Sequence, residues 1–74
     1  MADLVRAAAV TIEPEASIED ATKLMSAYRT GLLVVLDPLD RARIVGVLSE
    51  HDMVTAVAKG ENIYSPVANL MTRQ

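Results

Sequence analysis

Apolar and polar positions divide the chain into blocks. Residues 8–12 (Ala-Ala-Val-Thr-Ile) are a short apolar run closed by Glu13-Pro14, and proline lacks the N–H that a continuing ladder would use, so a strand is predicted there. A helix is predicted over 17–29. Ser17 precedes Ile18-Glu19-Asp20, a capping-box pattern with acids in the first turn. Ile18, Ala21, Met25 and Tyr28 then recur at helical spacing, with Leu24 beside them and Glu19, Lys23 and Ser26 opposite. Gly31 reads as the stop signal.

Residues 32–36 (Leu-Leu-Val-Val-Leu) and 44–48 (Ile-Val-Gly-Val-Leu) are unbroken apolar runs. A strand with one face in water alternates, so two consecutive runs without alternation predict strands in a sheet buried on both faces. The polar connector 37–43, with Pro38 in a turn position, reads as a hairpin loop. Ser49 opens a second helix over 50–59, which carries Met53, Val54, Val57 and Ala58 and ends at Lys59-Gly60. Residues 61–74 contain Pro66 and read as an extended linker.

The order β-α-β-β-α defines a small α+β unit: a three-stranded sheet, a right-handed first crossover and both helices on one face. The other sheet face is left uncovered. Composition gives this weight, because the 74 residues are 51% apolar, with no Phe, Trp or Cys. A chain so short hides only about 60 to 65% of its unfolded surface, and without cysteine no disulfide supports the core. The surplus of apolar residues is accounted for if the bare face packs on a second unit, since soluble monomers seldom expose large apolar patches. Residues 3–6 (Asp-Leu-Val-Arg) also echo residues 69–72 (Asn-Leu-Met-Thr), a repeat-like spacing that chance explains equally well.

Charge and residue types then narrow the function. Seven basic against ten acidic residues give a net charge of −3, which removes the basic footprint of a nucleic-acid binder. The apolar runs are far shorter than the roughly 20 residues of a membrane span, and no signal-peptide pattern opens the chain, so a cytoplasmic setting is expected. One histidine and no cysteine leave neither a metal cluster nor a nucleophile with a paired base, so no catalysis and no required cofactor are expected.

The informative stretch is Gly46-Val47-Leu48-Ser49-Glu50-His51-Asp52, a strand end running into a helix start. Amides and the helix dipole there favour an anion. Ser49 and Asp52 lie one turn apart, where a carboxylate accepts from the vicinal hydroxyls of a ribose, and Gly46 would let a ligand approach the backbone. The same Ser-x-x-Asp is also a plain capping box, and spacing alone does not separate the two.

Taken with the order of elements, the Val10-Thr11-Ile12 strand, the Leu33-Val34-Val35-Leu36-Asp37 strand end and the Asn69-Leu70-Met71-Thr72 ending, this stretch resembles a CBS (cystathionine β-synthase) domain. The resemblance implies a unit that works in pairs, sheet to sheet, as a Bateman module. It implies adenosine ligands (AMP, ADP, ATP or S-adenosylmethionine) held between paired units and regulating an attached or partner effector protein. On that basis Asp52 would bind ribose hydroxyls, Ser49 the ribose or phosphate, and His51 a phosphate. Thr11, Ile12 and Leu33 would line the adenine pocket. Two alternatives stand beside a nucleotide-sensing module: a structural dimerisation module with a degenerate cleft, in view of Gly31 and Leu32 where basic phosphate ligands are common, or part of a longer tandem protein.

Overall fold

The computed structural model describes residues 9–73. Strand β1 (Thr11–Ile12), helix α1 (Ile18–Tyr28), strands β2 (Leu32–Leu36) and β3 (Ile44–Ser49) and helix α2 (Glu50–Ala58) follow in the predicted order. A 3-10 turn (Val67–Asn69) and a fourth strand, β4 (Thr72–Arg73), complete the unit. The sheet is therefore four-stranded, in the order β1-β2-β3-β4, rather than three-stranded. Ala8, the first residue of the predicted strand 8–12, and the echo at residues 3–6 lie outside the described residues.

Helix α1 starts where its sequence says it should. The Ser17 hydroxyl accepts from the Asp20 N–H at 3.0 Å, and the Asp20 carboxylate accepts from the Ser17 N–H at 3.4 Å. Its end differs from expectation. Arg29, not Gly31, takes the left-handed conformation at φ 52, and the Thr30 N–H closes the helix on the Met25 carbonyl at 3.0 Å. Gly31 instead joins the next layer, its carbonyl accepting from the Glu50 N–H at 2.8 Å.

Register decides which side of each apolar run meets the helices. Strand β1 pairs parallel to β2, placing Ile12 beside Val35, while antiparallel β2 and β3 set Leu33 against Leu48 and Val34 against Val47. Leu33, Val35 and Leu48 have no exposed surface and share one core with Ile18, Ala21 and Met25 of α1 and Met53 and Ala56 of α2. Both helices thus cover one sheet face. The sheet is not buried on both sides within the chain: Val34 and Val47 are half-buried, and Leu32 and Ile44, on the side away from the helices, are about half exposed at 50% and 49%. Both tyrosines lie outside the core, which is built from aliphatic side chains and methionine alone.

The expected linker 61–74 is, through residue 73, instead part of the fold, and Gln74 lies outside the described residues. Val67 is fully buried and Met71 nearly so. The first amides of α1, which have no partner within a helix, are taken up here: Ile18 N–H donates to the Ser65 carbonyl at 3.0 Å and Glu19 N–H to the Ile63 carbonyl at 2.8 Å. Val67 N–H returns a bond to the Ala16 carbonyl at 2.8 Å. Beyond the turn, β4 adds antiparallel to β3, with Gly46 opposite Arg73.

That last pairing explains Gly46. A Cβ at this position would stand 2.7 Å from the Thr72 carbonyl oxygen and 3.0 Å from the Met71 sulfur. The returning tail therefore needs the absence of a side chain here. Gly46→Ala is expected to lower stability by about 1 to 3 kcal/mol, as overpacking does. Urea unfolding measures the loss, and faster amide exchange at Thr72 and Arg73 would locate it.

Candidate functional site

Strand β3 runs into α2 without a connecting loop, so Ser49 is at once the last strand residue and the helix N-cap. Its hydroxyl accepts from the Asp52 N–H at 3.1 Å, and Asp52 Oδ2 accepts from the Ser49 N–H at 2.9 Å. The capping box is therefore formed in full. It is tighter than its counterpart at Ser17 and Asp20, where the returning bond is 3.4 Å, and it is part-buried where the other is exposed. Capping occupies one carboxylate oxygen. Asp52 Oδ1 and the Ser49 hydroxyl proton have no hydrogen-bond partner among the described residues.

Beside this helix start lies a cavity of about 340 Å³ lined by His51, Asp52, Thr55, Lys59, Glu61 and Asn69, with Ala56 and Leu70. Its size falls at the lower end of small-molecule sites. His51, Thr55 and Lys59 recur every fourth residue, so they form one column along α2, and the chain returns after Gly60 to bring Glu61, Asn69 and Leu70 to the opposite wall. Gly60 makes this return with φ 80, a conformation that suits glycine. The column offers an imidazole, a hydroxyl and an ammonium group, and Asp52 adds a carboxylate at its N-terminal end.

Of the residues singled out from the sequence, Asp52 and His51 line this cavity, and Ser49 is bonded to Asp52 at its edge. The adenine-pocket residues are placed elsewhere. Leu33 has no exposed surface and Ile12 only 7%; both point into the core between sheet and helices, because register puts them in line with Leu48 and Val35. Their side chains are committed to packing and offer no wall to a ring. Thr11 is exposed and pairs with Val34, on the sheet face opposite the helices. Thr55, Lys59, Glu61 and Asn69 were not singled out. The spacing from His51 to Thr55 to Lys59 carries the signal for the first two, whereas Glu61 and Asn69 arrive only through the folding of the tail.

A larger cleft, of about 670 Å³, separates α1 from α2 and is lined by Met25, Met53, Val54 and Val57 among others. Its walls are mainly apolar, and Glu50 is its one residue from the Gly46 to Asp52 stretch. Among the described residues there is no group of three His, Cys, Asp or Glu side chains able to hold a metal ion. No described helix is long and apolar enough to cross a membrane.

Comparison with known proteins agrees with this architecture. The family model of the CBS domain matches residues 1–59, and the chain belongs to that family. It is 39% identical over 62 residues to an uncharacterized 17.7 kDa protein of Acidianus ambivalens, covering 84% of this chain but 36% of that one. Among solved structures, the CBS domain protein PAE2072 from Pyrobaculum aerophilum, complexed with AMP, superposes with a TM-score of 0.84 at 26% identity, over 88% of this chain and 50% of its own. CBSX2 in complex with AMP gives 0.77 at 26% identity, over 93% and 54%. A CBS domain protein fused to a Zn-ribbon-like domain gives 0.80 at 29% identity, over 89% and 93%. The chain thus spans about a third of its curated relative and about half of the two AMP complexes.

Because the cap at Ser49 and Asp52 is complete, Ser49→Ala and Asp52→Ala are each expected to destabilise the fold by about 0.5 to 2 kcal/mol. Chemical denaturation of the two variants checks this. A midpoint unchanged from wild type in both would remove the structural role assigned to the box.

Proposed function

We propose that this CBS unit is a regulatory module that pairs with a second unit through its uncovered sheet face and binds an adenosine ligand beside α2. The observation that carries the ligand is the Asp52 carboxylate. One oxygen holds the helix cap, the other has no partner among the described residues, and the residue lines a cavity of small-molecule size. A carboxylate fixed in this way is suited to accept from both hydroxyls of a ribose, and hydrogen bonds to a charged acceptor are roughly twice as strong as neutral ones. His51, at the first turn of α2, and the Ser49 hydroxyl then stand near any group attached to the sugar. Two of the similar structures contain AMP, which supports the adenosine assignment. The reading is of binding and not of catalysis, so regulation would act by linkage, limited by the difference in affinity between two arrangements of the paired units.

Pairing is supported by the sheet. On the face away from the helices, Thr11, Val34, Val47 and Thr72 form a row across all four strands, flanked by half-exposed Leu32 and Ile44. Chains about twice as long among the similar structures leave room for a second unit in the same polypeptide; here the second unit is a second copy or a further domain.

Titration calorimetry with AMP, ATP and S-adenosylmethionine is expected to give saturable heat for at least one of them. Silence from all three, with no thermal shift, would leave a structural dimerisation module instead. Asp52→Asn keeps its one carbonyl oxygen for the cap but turns an amide donor toward the cavity in place of the charged oxygen, so its stability should stay close to wild type while affinity falls about tenfold or more, as when a hydrogen bond to a charged acceptor is lost. On the sheet, Val47→Lys places an ammonium in the middle of the row. Sedimentation is expected to show a dimer for wild type and a folded monomer for this variant; a dimer that survives the change would move the interface elsewhere.

A further inference from the structure

The two faces of α2 border different spaces. His51, Asp52, Thr55 and Lys59 line the cavity described above, whereas Glu50, Met53, Val54 and Val57 line the larger cleft toward α1, which the proposed function leaves unused. Across that cleft α1 presents Met25 and Arg29. Met25 and Met53 are buried and form an apolar floor, while Val54 and Val57 stand exposed on the α2 wall. Thioether side chains pack adaptably and make favourable contacts with aromatic rings, and no aromatic residue lines the cleft. The floor suits a ring brought by a ligand.

The cleft carries two charged side chains, one of each sign, at the same end. Arg29 caps α1 and Glu50 opens α2. The Glu50 carboxylate lies against Gly31, two residues beyond Arg29, where a Cβ would stand 3.2 Å from its Oε2. Neither Arg29 nor Glu50 belongs to an ion pair among the described residues. Arg29 is also the one described non-glycine residue with positive φ, at 52, a cap conformation that glycine adopts without strain. Strain of this kind collects at functional positions. Here it keeps a guanidinium at the mouth of the cleft.

We propose that the cleft between α1 and α2 binds a free aromatic amino acid, its carboxylate on Arg29, its ammonium on Glu50 and its ring against Met25 and Met53. A zwitterion with an uncharged side chain gives each charged group one partner and adds no net charge. An apolar acid without the ammonium would leave Glu50 beside its carboxylate, and an amine without the carboxylate would leave Arg29 beside its ammonium. The site shares no residue with the cavity of Asp52, so it does not rest on the adenosine reading.

Amide chemical-shift titration of the whole chain with phenylalanine, 3-phenylpropanoate and 2-phenylethylamine tests this. Phenylalanine is expected to shift Arg29, Gly31, Glu50 and Val54 saturably, and each analogue, lacking one charged group, to bind about tenfold more weakly. Glu50→Gln should weaken phenylalanine but not 3-phenylpropanoate. Arg29→Gly should also weaken phenylalanine while raising the melting temperature, since it relieves the left-handed cap; binding lost from a more stable protein is no folding defect. The absence of saturable shifts up to about 10 mM phenylalanine overturns the proposal. So does 3-phenylpropanoate binding as tightly as phenylalanine, which would make this a site for apolar acids, or phenylalanine affinity unchanged by both substitutions. If the same amides shift on simple dilution of the free protein, a second copy fills the cleft and the proposal falls.

Discussion

The register of the β2-β3 hairpin is the constraint on which the rest of this small fold depends. Pairing Leu33 with Leu48 turns both toward the helices, and the same pairing turns Val34 and Val47 away from them. A slip of one residue would reverse every one of these assignments. The pairing continues to Leu32 and Ser49, and the bond from Glu50 N–H to the Gly31 carbonyl at 2.8 Å carries it into the first residue of α2. Helix α2 is therefore aimed by the sheet directly. The cap at Ser49, the position of Asp52 and the cavity beside them all inherit their placement from the pairing of two apolar runs, the second of which leads directly into the cap.

The second organising element is the return of the tail. It satisfies the first two open amides of α1, fills the core with Val67 and Met71, and provides one wall of the cavity through Glu61, Asn69 and Leu70. A core without aromatic rings has few large groups with which to exclude water. The tail contributes apolar area that two short helices do not supply, and Gly46 is the opening that allows its final strand to approach β3. Stability and the candidate site are thus coupled through one segment, since the residues after Gly60 both close the core and border the cavity beside α2.

Much of this was legible in the sequence. The strand at 32–36 was placed to the residue, and both helices to within one residue at each end, because capping serines and helical spacing are local signals. The tail was misread because its order comes from distant partners. A lone 3-10 turn and a two-residue strand have no periodicity of their own, and Pro66 suggests extension whether or not the segment packs. At the cavity beside α2, the sequence pattern singles out Ser49, His51 and Asp52 because they share one helix turn. Ile12 and Leu33 were misplaced for a different reason: an unbroken apolar run does not reveal which of its residues face inward, and only cross-strand pairing does.

The two outer strands are also short. Strands β1 and β4 each hold two residues, so the sheet presents very little unpaired backbone at either border, and short borders are one way in which proteins avoid growing edge to edge. The longer strands, with their apolar outer row, lie in the middle. A sheet of this shape resists extension into a ribbon while its apolar outer row stays open to stacking, so the pairing proposed for it would be face to face and closed rather than an open-ended array.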